Sequence, residues 1–220
     1  MIILGIETST SAGSVAITSE EKVLAEYTQN NSCSHSVWLI SAINTILIDA
    51  EIKVKAIEGI SISCGPGAFT SLRVGISTAK GLAQNLNIPL APVSSLEVLA
   101  SNISFNQINI CPIIDAKRKE IYAAFFKYQD YKLKQFSENL IISPLSLIEK
   151  IKEPTIFLGN GTVLYKEILR EKLGELAIFL PEIYNLPRGA LVATLGEQKI
   201  KEGRVPNLFE IEPLYLRKPM

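Results

Sequence analysis

One stretch limits the fold more than any other: Cys64-Gly65-Pro66-Gly67-Ala68-Phe69-Thr70, running on through Ser71 to Gly81. The four residues before it, Ile60-Ser61-Ile62-Ser63, alternate apolar and polar and predict a strand. Gly65-Pro66-Gly67 then breaks the extended chain, because glycine tolerates positive φ and proline fixes its own. Thr70 is placed to cap a helix over residues 71–86, although Arg73 stands where a capping box would have Glu or Gln. Within that helix Ser71, Gly75, Ala79 and Ala83 recur every fourth residue and form a ridge of small side chains. Gly75 and Gly81 each cost about 1 kcal/mol of helix stability relative to alanine, so something must offset them. Three readings stay open: close packing inside the domain, a seam against a helix of another protein, or an anion site. The last would lie where Gly65 and Gly67 meet the positive end of the helix dipole. The turn is not a P-loop, since no Gly-Lys-Ser/Thr follows it.

The segment 35–50 is apolar at helical spacing through Val37, Trp38, Ile40, Ile43, Ile46 and Leu47. Leu39 and Ile48 widen that stripe beyond one buried face, which predicts a second contact surface. Around these two helices, strands are expected at 2–8, 14–17, 22–29 and 89–93, and Ser94 with Glu97 predicts a capping box. Residues 101–109 turn polar, which suggests a boundary between a first domain, 1–103, and a second, 104–220. The second half echoes the first: a hydrophobic strand ending in Asp115, a short turn, then a strand over 121–126. Helices are expected at 143–152, 163–173 and 190–202, strands at 155–158 and 177–180, and a turn at Gly159-Asn160-Gly161. Strands first, then helices and strands in alternation, argue an α/β fold.

The totals exclude more than they assign. In 220 residues, 22 basic side chains balance 22 acidic ones. A chain gripping nucleic acid over its own surface would normally carry a basic excess, so any tRNA contact is expected to be indirect. The start, Met1 to Glu7, lacks the basic region of a secretory signal, and no apolar run approaches the ~20 residues that span a bilayer. Cys33, Cys64 and Cys111 are few and far apart, which fits a reducing cytoplasm. The one histidine, His35, excludes HExxH and other paired-histidine metal sites. No CxxC and no Gly-x-Ser-x-Gly elbow is present. No catalytic residue, metal or cofactor is therefore assigned, and His35 is expected at a helix start with a structural hydrogen bond.

Four segments taken together carry a resemblance. They are Gly5-Ile6-Glu7-Thr8-Ser9, the stretch from Gly65 to Gly75, Asp115-Ala116-Lys117-Arg118-Lys119-Glu120-Ile121-Tyr122, and Pro213-Leu214-Tyr215-Leu216-Arg217. In this order the chain resembles the bacterial TsaB (YeaZ) family of tRNA threonylcarbamoyladenosine synthesis over nearly its whole length. It departs from that pattern at Ala68, usually serine, at Ser71, usually glycine, and at Glu7, more often aspartate. The resemblance implies two ribonuclease-H-like lobes of the actin-like ATPase superfamily. It also implies a non-catalytic partner of TsaD, which transfers threonylcarbamoyl onto an adenosine beside the anticodon, with the small ATPase TsaE completing the set. Pairing with TsaD, or with a second copy, is implied through the two first-lobe helices. The candidate partner-binding residues are Ser36, Leu39, Ile40, Ile43 and Leu47 on one helix. Ser71, Gly75, Ala79, Leu82, Ala83 and Leu86 supply the other.

Actin-like ATPases grip phosphates with glycine-containing turns after the first strand of each lobe. Here the first turn, 7–13, keeps one glycine, and the second, 115–120, has none. Glu7, Thr8, Ser9, Thr10, Gly65, Gly67 and Asp115 are left as a candidate vestigial nucleotide or anion site. The competing expectation is an ATPase or phosphotransferase active on its own, with Glu7 or Asp115 holding magnesium. Lys117, Arg118 and Lys119 are read either as a solvated hairpin tip or as a contact for tRNA phosphates or an acidic partner surface.

Overall fold

The computed structural model describes residues 1–31, 34–104 and 106–216; Cys33 and Arg217, both singled out in the sequence, lie outside them. The chain divides into two compact units, Met1–Val98 with Pro187–Leu214, and Leu99–Leu186 with Tyr215 and Leu216 following.

In the first unit, β1 (Ile2–Glu7), β2 (Gly13–Ser19) and β3 (Lys22–Gln29) run antiparallel. α1 (His35–Asp49) leads to β4 (Gly59–Ser63), and α2 (Phe69–Leu86) to β5 (Leu90–Val93), both strands parallel to β1. The sheet order is β3-β2-β1-β4-β5. Strand residues point alternately to the two faces. On one face Leu4, Ile6, Val15, Ile17, Ile60 and Ile62 form a core with Trp38, Leu39, Ile43 and Ile46 of α1 and Leu72, Ile76, Ala79 and Ala83 of α2. α3 (Ser95–Ala100) follows β5.

The second unit repeats the plan. β6 (Asn109–Asp115), β7 (Ile121–Ala123), the ribbon β8 (Phe126–Gln129) and β9 (Lys132–Gln135), and β10 (Leu140–Ile142) precede α4 (Pro144–Lys150). Then come β11 (Thr155–Leu158), α5 (Asn160–Leu173) and β12 (Ala177–Phe179). The order β10-β7-β6-β11-β12 matches the first sheet strand for strand, antiparallel on one side of the central strand and parallel on the other. Cys111, Ile113, Phe157, Leu147 and Leu169 lie in its core.

The last helix, α6 (Gly189–Lys201), packs on the first sheet, across the face opposite α1 and α2. A Cβ on Gly5 would stand 2.1 Å from the Gly189 carbonyl oxygen, and one on Gly196 would stand 2.1 Å from the Ser61 hydroxyl. Small residues on both surfaces thus bring helix and sheet backbones together. The expected division at 103/104, with all of 104–220 in the second domain, is corrected on both counts. The break falls at Leu99, and α6 belongs to the first unit. A local pattern shows that α6 has a small apolar face but not which sheet that face meets.

Other local differences have physical causes. α2 begins at Phe69, capped by Ala68 with no side-chain bond, rather than at Thr70. The Ala68 N–H is held by the Ser9 carbonyl at 2.8 Å, so tertiary pairing sets the start. Ser94 caps nothing with its hydroxyl, which is buried without a hydrogen-bond partner. Gly159 at φ 100° is the cap of α5, so Asn160 and Gly161 form its first turn instead of a loop.

Candidate functional site

The glycine turn closes onto the β1–β2 corner. Gly65 has φ 107°, a conformation that L side chains rarely adopt, and a Cβ on Gly67 would stand 2.2 Å from the Ser9 carbonyl oxygen. Gly75 presses on the same corner, with Thr8 Oγ1 where its Cβ would be. Glu7, Thr8, Ser9 and Thr10 are consequently all buried. The Glu7 carboxylate accepts the Ser9 N–H at 2.5 Å through Oε1 and the Ser63 hydroxyl through Oε2. Burial pushes the Glu7 carboxyl above its ordinary value, opposed by the hydrogen bonds from Ser63 and Ser9. The structure therefore brings Glu7, Thr8, Ser9, Thr10, Gly65 and Gly67 together, but as a packed corner rather than an open cradle.

Asp115 belongs to the second unit, where it uses the same device. Its Oδ1 accepts the Lys117 N–H at 2.9 Å and its Oδ2 pairs with Lys117 Nζ at 2.7 Å. Lys117, Arg118 and Lys119 are exposed and all have φ between 55° and 62°. Each strand-end acid thus bonds the N–H two residues on; Glu7 is also held by Ser63 of β4, and Asp115 by the Lys117 ammonium. Buried thiols complete the interior: Cys64 is pushed up to about 12 by burial, and burial raises Cys111 as well.

His35 opens α1, as expected. Its Nδ1 accepts the Trp38 Nε1–H at 3.1 Å, which leaves the proton on Nε2, 2.7 Å from the Thr10 carbonyl oxygen. Both ring nitrogens are committed to structure.

The ridge of small residues on α2 does not face outward. Gly75, Ala79 and Ala83 are buried against the chain's own sheet, and so are Leu39, Ile43 and Leu47 of α1. These six are corrected as candidates for partner contact, because a four-residue period marks a face without saying which. Of the others, Ser36 and Ile40 are exposed and Ser71, Leu82 and Leu86 half-buried. The outward face of α1 carries Val37, Ile40 and Ile48, at 73%, 60% and 66% exposed, among the exposed polar residues Ser36, Ser41, Asn44, Thr45 and Asp49. No charged residue occurs from His35 to Ile48. The neighbouring α2 turns Thr70, Ser77 and Gly81 outward, with Arg73 laid over the Phe69 ring at 3.8 Å. Nothing lies within 4 Å of a Cβ on Gly81. Val37, Ile48 and Gly81, absent from the candidate residues, had a signal: the excess apolar width and the glycine cost.

A family model described as TsaD, tRNA N6-adenosine threonylcarbamoyltransferase, matches residues 22–219. The tRNA threonylcarbamoyladenosine biosynthesis protein TsaB of Bacillus subtilis is 33% identical, over 99% of this chain and 94% of that protein. The structure of YeaZ from Pseudomonas aeruginosa superposes with a TM-score of 0.82 at 24% identity, covering 98% of this chain and 99% of that one. An activator of 2-hydroxyisocaproyl-CoA dehydratase from Clostridium difficile, solved with ADPNP, shares the fold at a TM-score of 0.55 and 11% identity, over 94% and 99% of the two chains. The twin sheets are those of the actin-like ATPase fold. With a relative this similar along almost all of its length, the chain belongs to the TsaB (YeaZ) family of tRNA threonylcarbamoyladenosine biosynthesis proteins.

Proposed function

We propose that this chain is a non-catalytic subunit that docks on TsaD through the outer faces of α1 and α2. In that complex, which TsaE joins, it supports threonylcarbamoylation of the adenosine 3′ of the anticodon in tRNAs reading codons that start with adenosine. The observation that carries the reading is the outer face of α1: three large aliphatic side chains in solvent on a helix whose one acidic residue, Asp49, stands at its C-terminal end. A solvent-facing helix ordinarily places charges there, so a stripe of this kind is suited to being covered. Gly81 beside it lets a second helix come close. The state of the β1–β2 corner supports the non-catalytic part, since Glu7 is buried and engaged where a magnesium ligand would need a free, ionised carboxylate. When TsaD is missing, the same face would pair with a second copy.

The test uses Ile40→Lys and Gly81→Arg, both on open surface. Titration calorimetry against TsaD should show at least a tenfold loss of affinity for each, about 1.4 kcal/mol. Light scattering should show self-pairing lost in parallel, and tRNA modification by the reconstituted set should fall. If both variants bind TsaD as the parent chain does, the outer face of the two helices is the wrong surface.

A further inference from the structure

Away from the two helices, the second unit holds a cleft of about 450 Å³ between the β8–β9 ribbon and the segment joining α4 to β11. That volume lies within the range of small-ligand sites, about 300–1,000 Å³. Its apolar wall is Phe125 and Phe136, with ring centroids 5.9 Å apart. Both are held by backbone bonds: the Phe136 N–H to the Phe125 carbonyl at 3.0 Å, and the Phe125 N–H to the Ser137 hydroxyl at 2.8 Å. Phe136 is nevertheless 55% exposed. A large ring fixed in place and left half in water is a platform without an occupant.

The rim is cationic. Lys127, Lys150 and Lys152 line the cleft. In the ribbon register Lys127 stands directly opposite Lys134, and Gln129 opposite Lys132, so all four lie on one face. Like charges paired across strands are destabilising, and an anion bound between them would relieve the repulsion. The one lining carboxylate, Glu153, is 4.0 Å from Lys127 Nζ and also accepts the Asn109 amide at 3.2 Å. Three lysines lining the cleft with one glutamate, and two more on the same ribbon face, are a concentrated charge in a chain whose totals cancel.

A ring to stack on, ammonium groups along both sides, and amides at Asn109 and Gln129 match one ligand chemistry, a nucleoside phosphate. Lysines placed along the ribbon as well as at the cleft mouth suit successive phosphates better than a single one. We propose that this cleft binds an unpaired nucleotide within an RNA strand, the base on Phe136 and the flanking phosphates on Lys127, Lys150 and Lys152. Direct RNA contact of this kind departs from the expectation that the chain meets tRNA only through a partner. It does not rest on the docking of TsaD, since no residue of α1 or α2 takes part.

Fluorescence anisotropy of the full chain with a labelled ten-nucleotide single-stranded RNA tests it, beside a duplex of the same length and AMP as competitor. The strand should bind in preference to the duplex. Phe136→Ala should weaken it about 5-fold or more with the salt dependence unchanged, as loss of one stacked base requires. Phe136→Tyr should retain binding, and Lys150→Ala and Lys152→Ala should each lower the slope of log affinity against log salt by about 0.7. Ile40→Lys should leave RNA binding intact, and Phe136→Ala should leave TsaD affinity intact, which separates the two proposals. No binding of the strand at low salt, indifference to Phe136→Ala, or AMP binding as tightly as the strand would each overturn the proposal.

Discussion

The two glycines inside α2 make a paired experiment, because helix propensity treats them alike and their surroundings do not. Replacing either with alanine removes backbone freedom from the unfolded chain and gains about 1 kcal/mol on propensity alone. At Gly81 nothing lies within 4 Å of the new methyl group, so the whole gain should appear. At Gly75 the methyl would stand 2.1 Å from Thr8 Oγ1 and 3.1 Å from Ile62 Cδ1. Thr8 is β-branched and fully buried, so its hydroxyl has no free rotamer to retreat into. Overpacking of this kind costs about 1–3 kcal/mol, which cancels or exceeds the propensity gain. The assay is thermal unfolding followed by fluorescence of Trp38, the single tryptophan, in the same core cluster as Leu72 and Ile76 of α2. Measured below the concentration of self-pairing, Gly81→Ala should raise the melting temperature by about 2–4 °C, and Gly75→Ala should leave it unchanged or lower it. Gly81→Ala should also weaken TsaD binding, since its methyl group fills the approach. If Gly75→Ala stabilises as much as Gly81→Ala, the close packing of α2 on the β1–β2 corner is wrong.

Further outcomes follow from burial. The raised Glu7 carboxyl keeps a proton in the folded chain that the unfolded chain has lost, so its stabilising effect is whole below the ordinary value of 4.5 and drains away as pH rises past it. Glu7→Gln keeps a neutral amide there, and its advantage in melting temperature over the parent should widen as pH rises above 4.5; a constant or narrowing difference would contradict this. In a Cys33→Ser background, Cys64 and Cys111 should stay unmodified by a disulfide reagent near pH 8 until denaturant is added, given a thiol pushed up to about 12 at Cys64. Leu39→Ala, at a site 1% exposed, should cost about 2–5 kcal/mol. Its neighbour Ile40→Ala should stay within about 0.5 kcal/mol while weakening pairing, and an equal loss at both sites would mean Ile40 is part of the core.

Much of the architecture was legible in the residues. Strands such as Lys22–Gln29 and Thr155–Leu158 appear with the expected bounds, because turn residues on either side leave the chain between them few alternatives. The expected strand over 121–126 splits into β7 and the start of β8, and the short β9 and β10 were not anticipated, since three or four residues carry no period. For the site, the excess apolar width of α1 corresponds to side chains left in solvent, Val37, Ile40 and Ile48, while spacing on α2 named its inward ridge. A repeat of four residues fixes that Gly75, Ala79 and Ala83 share a side; only the long-range contact with Thr8 and Ile62 fixes that the side is interior. The second-unit cleft was invisible for the same reason, as Phe136 and Lys150 line one cleft only because the chain after the ribbon returns beside it.

The return of α6 to the first sheet has a consequence for how the protein is made. A ribosome finishes β5 with roughly a hundred residues still to translate before Lys201 emerges. At 5–20 residues per second that is an interval on the order of ten seconds during which the sheet side bearing Gly5, Gly59 and Ser61 has no lid. Nascent chains are therefore open to holdase chaperones for that time. Any message truncated upstream of codon 187 yields a half-covered sheet, fit for degradation rather than for assembly.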